Sequence, residues 1–211
     1  MMYPEKLAAV VFASLLFGGF SGTATAAIII ETGNNPQPGE NVHLKSRMSD
    51  NARTVQGLTN KTNAVVRFSG AGENLTTPSK GQARIEAQDG STFNALTIAP
   101  DRAGFSFTSL ILNLDAAGDG RVVFTINPLV GAPTVQTLAL DRNGQNFFTI
   151  LAQGGQRMSS VELDTTVGLD DVRQVRIGGL SLGGVPAVPE PASLGLMALG
   201  SLALLARRRA V

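Results

Sequence analysis

The feature that most constrains this chain is a period-two alternation of apolar and polar residues in short runs. Val122, Phe124 and Ile126 alternate with Val123 and Thr125. The same alternation recurs at residues 161–164 and 174–177. A period of two places every second side chain on one face of an extended strand, so each run predicts a strand with one buried face. No segment between the two ends has a helical stripe over ten residues, and the sequence therefore predicts an all-β domain.

Twelve segments are predicted as strands: residues 28–31, 41–46, 53–58, 63–69, 82–87, 93–98, 104–114, 121–126, 134–140, 146–151, 160–165 and 173–182. Turn signals rich in glycine fall between them at residues 70–72, 89–90, 118–120, 143–144 and 154–155. Short strands separated by such turns favour two packed antiparallel sheets. We predict a jelly-roll-like β-sandwich, with an irregular barrel as the alternative.

Composition excludes several classes of site and partner. The chain has no Cys, so disulfides, thiolate metal sites and cysteine nucleophiles are excluded. Its 24 Gly and 16% charged residues indicate many turns and a surface of Thr, Ser, Asn and Gln, which is typical of extracellular all-β domains. The net charge is only +1, and we therefore predict no nucleic-acid partner.

The N-terminal end has the order of a secretory signal peptide. Lys6 is followed by an apolar stretch at residues 7–20 and then by small residues ending in Ala24, Ala26 and Ala27. This order predicts a signal peptide at residues 1–27, removed by signal peptidase after Ala26 or Ala27. The alternative is a buried N-terminal helix, but the stretch has no amphipathic stripe that would select one buried side.

The C-terminal end consists of a proline-rich motif, an apolar segment and an arginine cluster. In order, these are Val188, Pro189, Glu190 and Pro191; residues 192–206; and Arg207, Arg208 and Arg209. As a helix the apolar segment spans about 22 Å, and a snorkelling arginine can make up the shortfall against a hydrocarbon core of about 30 Å. The arginine cluster keeps that end cytoplasmic, which places residues 28–185 across the membrane.

This tripartite end resembles the PEP-CTERM sorting signal of Gram-negative bacteria. The resemblance implies that exosortase, an integral-membrane enzyme, recognises the motif and that the tail is removed. It implies a protein held transiently in the inner membrane and then delivered to the cell surface or extracellular matrix. The predicted organisation is a signal peptide at residues 1–27, a secreted β-sandwich at 28–185 and the sorting signal at 186–211.

Two internal stretches resemble other PEP-CTERM surface proteins. Residues 104–120 followed by RVVFTI are similar to a hairpin found in several of them, which implies a hairpin turn at Gly118 and Gly120. The segment NGQNFFTILAQGG and the strands after it are similar to their closing strands. Neither similarity implies an activity.

No catalytic constellation is predicted. Residues 179–183 match the G-x-S-x-G nucleophile elbow, which needs a strand leading into a helix and a His later in the chain. The sole His is His43, which precedes the motif and alternates with Val42 and Leu44, so we interpret it as a surface or edge residue. We predict that the protein is not an enzyme.

Carboxylates offer a weak calcium candidate. Asp115 and Asp119 lie on one predicted turn, and Asp170 and Asp171 are adjacent before the last strand. Ca²⁺ needs clustered oxygen ligands, but the spacing fails the alternate-position pattern of an EF-hand, and Asp is also a common turn residue. We therefore predict neither a metal nor another cofactor.

Aromatic content limits carbohydrate recognition. Sugar rings stack on aromatic faces with a polar tip, and Trp and Tyr are both absent from the segment between the two ends. We assign all seven of its Phe to the core, which also leaves no aromatic wall for a glycosidase cleft. The predicted function is a non-catalytic surface or matrix structural and adhesion protein. The alternatives are an exopolysaccharide-binding module of a biofilm matrix and an extracellular hydrolase.

Overall fold

The computed structural model describes residues 27–44, 52–78 and 84–182, and the all-β prediction is confirmed within them. These residues form fourteen strands and no helix. The first seven are β1 (Ala27–Thr32), β2 (Glu40–Leu44), β3 (Thr54–Thr59), β4 (Val65–Gly70), β5 (Leu75–Thr76), β6 (Arg84–Ala87) and β7 (Phe93–Pro100). The others are β8 (Phe105–Ser106), β9 (Ser109–Ala116), β10 (Gly120–Pro128), β11 (Thr134–Leu140), β12 (Asn146–Gln153), β13 (Met158–Gly178) and β14 (Ser181–Leu182).

The 21-residue strand β13 organises the fold because it belongs to two layers. Its first part, residues 158–165, lies between β10 and β7. Its second part, residues 169–178, lies between β9 on one side and β6 and β2 on the other. The first layer therefore contains β11, β10, β13, β7, β4, β3 and β2, and the second contains β1, β12, β9, β13, β6 and β5. Since β2 pairs with β13 as well as β3, the strands close into a barrel-like sandwich.

The hydrophobic core lies between these layers. Phe124 is fully buried, as the alternation predicts, and its ring meets that of Phe148 edge to face with centroids 5.0 Å apart. Leu110, Leu112 and Leu114 of β9 point into the same core. Burying side chains of this size removes apolar surface from water at roughly 25 cal/mol per Å², so packing holds together a chain that has no disulfide.

Two bulges in β13 change which side chains face outward. The register against β9 shifts between Leu169 and Asp171, and again between Arg173 and Arg176. At the second bulge Gln174 has φ 56°, in the left-handed region. Each extra residue reverses the alternation locally, so side chains that a regular strand would bury lie on the outer face of the second layer.

The predicted hairpin at Gly118 and Gly120 is wrong. β9 pairs with β12 and β13, whereas β10 pairs with β11 and β13, so the connection crosses between layers. Gly120 is required for a different reason. A Cβ there would lie 2.8 Å from Thr166 Oγ1 and from both methyl groups of Val167. The predicted strands at 160–165 and 173–182 are also corrected, because both lie mainly in β13.

Several predictions stay predictions. The predicted signal peptide up to Ala26, the apolar segment at 192–206 and the arginine cluster lie outside the described residues. No helix among the residues that the structure describes is long and apolar enough to span a membrane. The jelly-roll-like arrangement and the domain boundary at residue 185 likewise stay predictions.

Candidate ligand-binding face

The outer face of the second layer carries a row of four aligned side chains. Phe147 on β12 is opposite Asn113 on β9, which is opposite Arg173 on β13, which is opposite Arg84 on β6. Directly opposed residues point to the same side of a sheet. A second row follows on the same side, because Asp115 is opposite Asp171. We call this surface the polar face. It consists of Arg84, Glu86, Asn113, Asp115, Phe147, Asp171 and Arg173.

Ion pairs connect the charged residues of the polar face. Arg173 Nη2 lies 2.5 Å from Asp115 Oδ2, and Arg173 Nε lies 3.4 Å from Asp171 Oδ1. Arg84 Nε lies 2.6 Å from Glu86 Oε1, and Arg84 Nη1 lies 4.0 Å from Asp171 Oδ2. Asp171 therefore lies between two guanidinium groups, and three carboxylates face two cations.

Three buried polar atoms of the polar face have no hydrogen-bond partner among the described residues. They are Asn113 Oδ1, Asp171 Oδ1 and Arg84 Nε. The Arg84 and Asp171 atoms lie within ion-pair distance of a charged neighbour, but the geometry is wrong for a hydrogen bond. Asn113 is 1% exposed, so its carbonyl oxygen gains nothing from bulk water. A buried polar group without a partner costs about 1–3 kcal/mol, and a ligand can reach this oxygen only if the side chains around it move.

Burial also perturbs one carboxylate. Asp171 is 4% exposed, and this desolvation raises the pKa of its carboxyl above the ordinary value. Arg173 opposes the shift in pKa and the neighbouring Asp115 carboxylate reinforces it. While it is ionised, such a carboxyl can only accept hydrogen bonds, and it repels further negative charge.

The structure corrects the assignment of all seven Phe to the core. Five are fully buried, namely Phe68, Phe93, Phe107, Phe124 and Phe148. Phe147 and Phe105 are only partly buried. The Arg102 guanidinium lies over the ring of Phe105, 5.2 Å from its centroid, so that face already has a partner. Phe147 is the aromatic side chain that the polar face offers.

A separate pocket of about 580 Å³ lies beside Phe105. Its lining is mostly apolar, with Asp101 and Arg102 as its charged residues. Leu180, close to the last described residue, contributes to the wall. None of the three atoms that lack a hydrogen bond belongs to this pocket, so the polar face remains the candidate site.

The two acids of the weak calcium candidate contact different partners. Asp115 pairs with Arg173, and Asp119 Oδ1 accepts a hydrogen bond of 2.8 Å from the backbone N–H of Arg142. The residues that the structure describes hold no group of three or more His, Asp or Glu that could bind a metal. Asp170 is exposed, whereas its neighbour Asp171 lies in the polar face.

The candidate catalytic residues lie on separate strands. His43 is exposed on β2, as interpreted from the sequence. Ser181 lies in β14, which pairs with β8, so the motif at 179–182 is extended and not a strand-to-helix turn. Gly179 has φ 62°, and a Cβ there would collide with Thr108. Gly183 lies outside the described residues.

Most residues of the two processing signals lie outside the described residues, including Ala24 and the whole motif from Val188 to Pro191. Ala27 is described, and it is the first residue of β1, opposite Gln153. The polar face was missed by the sequence reasoning, since Asn113 and Phe147 occur within runs that read as core. One signal was available, because Asp171 and Arg173 interrupt the apolar residues of β13 with opposite charges two positions apart.

The comparisons with known proteins identify the sorting signal. Residues 187–209 match the model of the PEP-CTERM protein-sorting motif, which confirms that resemblance and indicates an exported chain that exosortase recognises. No curated protein sequence matches the chain. One solved structure with similarity is a family 29 carbohydrate-binding module from Piromyces equi, at 11% identity and a TM-score of 0.28. The alignment covers 78% of this chain and 95% of the module, and nothing about a ligand follows from it.

Proposed function

We propose that this protein with a PEP-CTERM sorting motif is a non-catalytic adhesion protein of the cell surface or extracellular matrix of a Gram-negative bacterium. The motif at residues 187–209 supports export, and the polar face supports contact with a partner once the protein is outside. The observation that carries the proposal is the row of aromatic, amide and guanidinium side chains aligned on one outer face, with two carboxylates in the next row.

The ends of the chain fit a transient stay in the inner membrane. Ala27 already pairs in β1, so signal peptidase cleavage after Ala26 would keep the whole strand, whereas cleavage after Ala27 would remove its first residue. Arg207, Arg208 and Arg209 would hold the tail until exosortase acts at Val188, Pro189, Glu190 and Pro191.

The experiment compares retention of the protein in the matrix of the producing cells. Asn113→Ala and Phe147→Ala are combined, and the amounts in the matrix and in the medium are measured by immunoblot. Removing Asn113 Oδ1 leaves no partner behind, so the fold should tolerate the change. We expect the variant to move into the medium while its thermal unfolding stays cooperative, with a melting temperature above the growth temperature.

The matched control is Phe105→Ala, which truncates the other partly buried Phe, in a pocket lined by no residue of the polar face. It should be retained like the wild type. Equal retention of the polar-face variant and the wild type would contradict the proposal.

A second candidate function is binding of an exopolysaccharide. Phe147 lies in one row with an amide and two guanidinium groups, and two carboxylates lie in the next row. This combination can stack on a sugar ring and exchange hydrogen bonds with its hydroxyls. The charges nearly balance, so the polar face favours a neutral polysaccharide over a polyanion. A screen of the purified full chain against neutral and acidic polysaccharides tests this. Affinity for a neutral glycan that Phe147→Ala abolishes supports it, and no affinity for any glycan contradicts it.

A further inference from the structure

The strand β11 ends the first layer of the sandwich with an unpaired edge. Thr134–Leu140 pairs with β10, and no described strand pairs with its other side. An edge strand presents a row of backbone N–H and C=O groups that match another extended chain. A partner that pairs with all of these backbone groups must therefore be an extended strand.

The sequence of β11 lacks the usual protection of an edge. Its residues TVQTLAL contain no charge, no Pro and no Gly. Val135 is 63% exposed, and Val130 in the preceding connection is 55% exposed. By contrast β1, the edge strand of the second layer, carries Glu31, whose carboxylate accepts a 2.6 Å hydrogen bond from Asn35. Natural edges are commonly guarded by charges or proline, so an unguarded seven-residue edge is suited to pairing.

We propose that β11 pairs antiparallel with β11 of a second copy of this chain, about a two-fold axis at Thr137. In this register Thr137 faces its own copy, Val135 faces Ala139, and Gln136 faces Leu138. No like charges oppose each other, and the row of Val135, Thr137 and Ala139 is already exposed in each copy. A two-fold axis closes the assembly at two copies and extends the first layer across both.

The charges of the first layer favour an edge contact over a face contact. Glu162 and Asp164 of β13 lie opposite Thr125 and Val123 of β10. Two copies stacked face to face about an axis over this part of β13 would bring these carboxylates together. In the edge-paired dimer the two β13 strands are separated by five interstrand spacings, roughly 24 Å, which exceeds the screening length of about 8 Å at physiological salt.

The absence of Cys from the chain permits a specific cross-linking test. Thr137→Cys, Val135→Cys and Ala139→Cys are made singly in the full chain, purified in a nonionic polyoxyethylene detergent and oxidised. Opposed Cα atoms in an antiparallel pair are about 4.5–5.5 Å apart, which a disulfide can bridge. Thr137→Cys should give a covalent dimer. Val135→Cys alone should not, because its two copies would lie roughly 13 Å apart, but mixed with Ala139→Cys it should.

A charge pair provides the second readout. Thr137→Lys and Thr137→Glu should each be monomeric by light scattering, because like charges meet at the axis. An equimolar mixture should restore the dimer. The apolar tail is common to all variants, so association through micelles affects them equally.

Three results would overturn the proposal. They are a monomeric wild type at all concentrations tested, equal cross-linking of Thr137→Cys and Val135→Cys when each is oxidised alone, and a wild type that forms assemblies larger than two. The last result would make another edge, such as β1, the partner of β11.

Discussion

Asp171 and Asp115 lie directly opposite each other on neighbouring strands, and Arg173 contacts both carboxylates. The bulge after Leu169 creates this arrangement, because it turns Asp171 outward while Leu169 and Val172 stay in the core. Without it Asp171 would face the core, where an unpaired carboxylate costs several kcal/mol. The polar face therefore depends on one extra residue in β13.

Asp171→Asn should make the protein more stable at neutral pH. Burial raises the pKa of Asp171 in the folded state above its ordinary value of 3.8, so the folded state binds more protons than the unfolded state in the window above 3.8. Stability is then lost as the pH rises through that window, and the asparagine variant avoids the loss. Urea denaturation from pH 7 downward should show a gain that shrinks toward pH 4.

A loss of stability in Asp171→Asn would contradict this prediction. If the variant is less stable than the wild type at pH 7, with the largest gap there, the attraction of Arg173 and Arg84 outweighs burial. Asp170→Asn is the control, because Asp170 is exposed and its substitution should leave the urea midpoint unchanged at every pH.

Phe124→Ala should lower the free energy of unfolding by about 3–5 kcal/mol. The side chain is fully buried, and its ring packs edge to face on Phe148, so truncation leaves a cavity and removes an aromatic pair. This loss is a large part of the 5–15 kcal/mol that stabilises a typical domain. The urea midpoint measures it, with the partly exposed Phe105→Ala as a milder control. An unchanged midpoint would mean that Phe124 does not lie in the core.

Calcium should not raise the melting temperature. Asp115 is paired with Arg173, and Asp119 accepts a hydrogen bond from the backbone N–H of Arg142. A calcium ion would have to displace a partner from each carboxylate. Binding to the folded state would raise the melting temperature with concentration. Thermal melts in chelator and in millimolar Ca²⁺ check this. A rise of several degrees that Asp119→Asn removes would identify a calcium site.

Changing Pro189, Glu190 and Pro191 together to Ala should trap the protein in the inner membrane. The apolar segment and the arginine cluster would still anchor the tail, but exosortase would lose its recognition motif. Membrane fractionation and immunoblotting measure the distribution. Substituting Val185, outside the matched residues, with Ala is the control and should leave sorting unchanged. Delivery of the triple variant to the surface at the wild-type rate would contradict exosortase sorting through this motif.

The sequence predicted the strands well where alternation was regular. Val122, Phe124 and Ile126 are buried as predicted, because one face of β10 packs on the core along its whole length. The sequence located the turn residues, but it did not show which strands pair on either side of each turn. Gly118 and Gly120 connect strands in different layers, and local sequence carries no information on which distant strands pair.

The candidate site could not be predicted for a related reason. Arg173 and Arg176 point outward together only because of the second bulge, at Gln174, and regular alternation would place them on opposite faces. Phe147 and Phe148 are adjacent and equally apolar, and the strand register alone decides that Phe148 enters the core. Composition could not distinguish a core Phe from a surface one.

The central claim, an exported protein that is processed at both ends and retained outside the cell, is tested most directly by intact mass spectrometry of the protein recovered from the surface and matrix fraction. The account predicts a species that begins at Ala27 or Ile28 and lacks the apolar segment and Arg207 to Arg209. Recovery of a matrix-bound species that still carries residues 192–211 would contradict it.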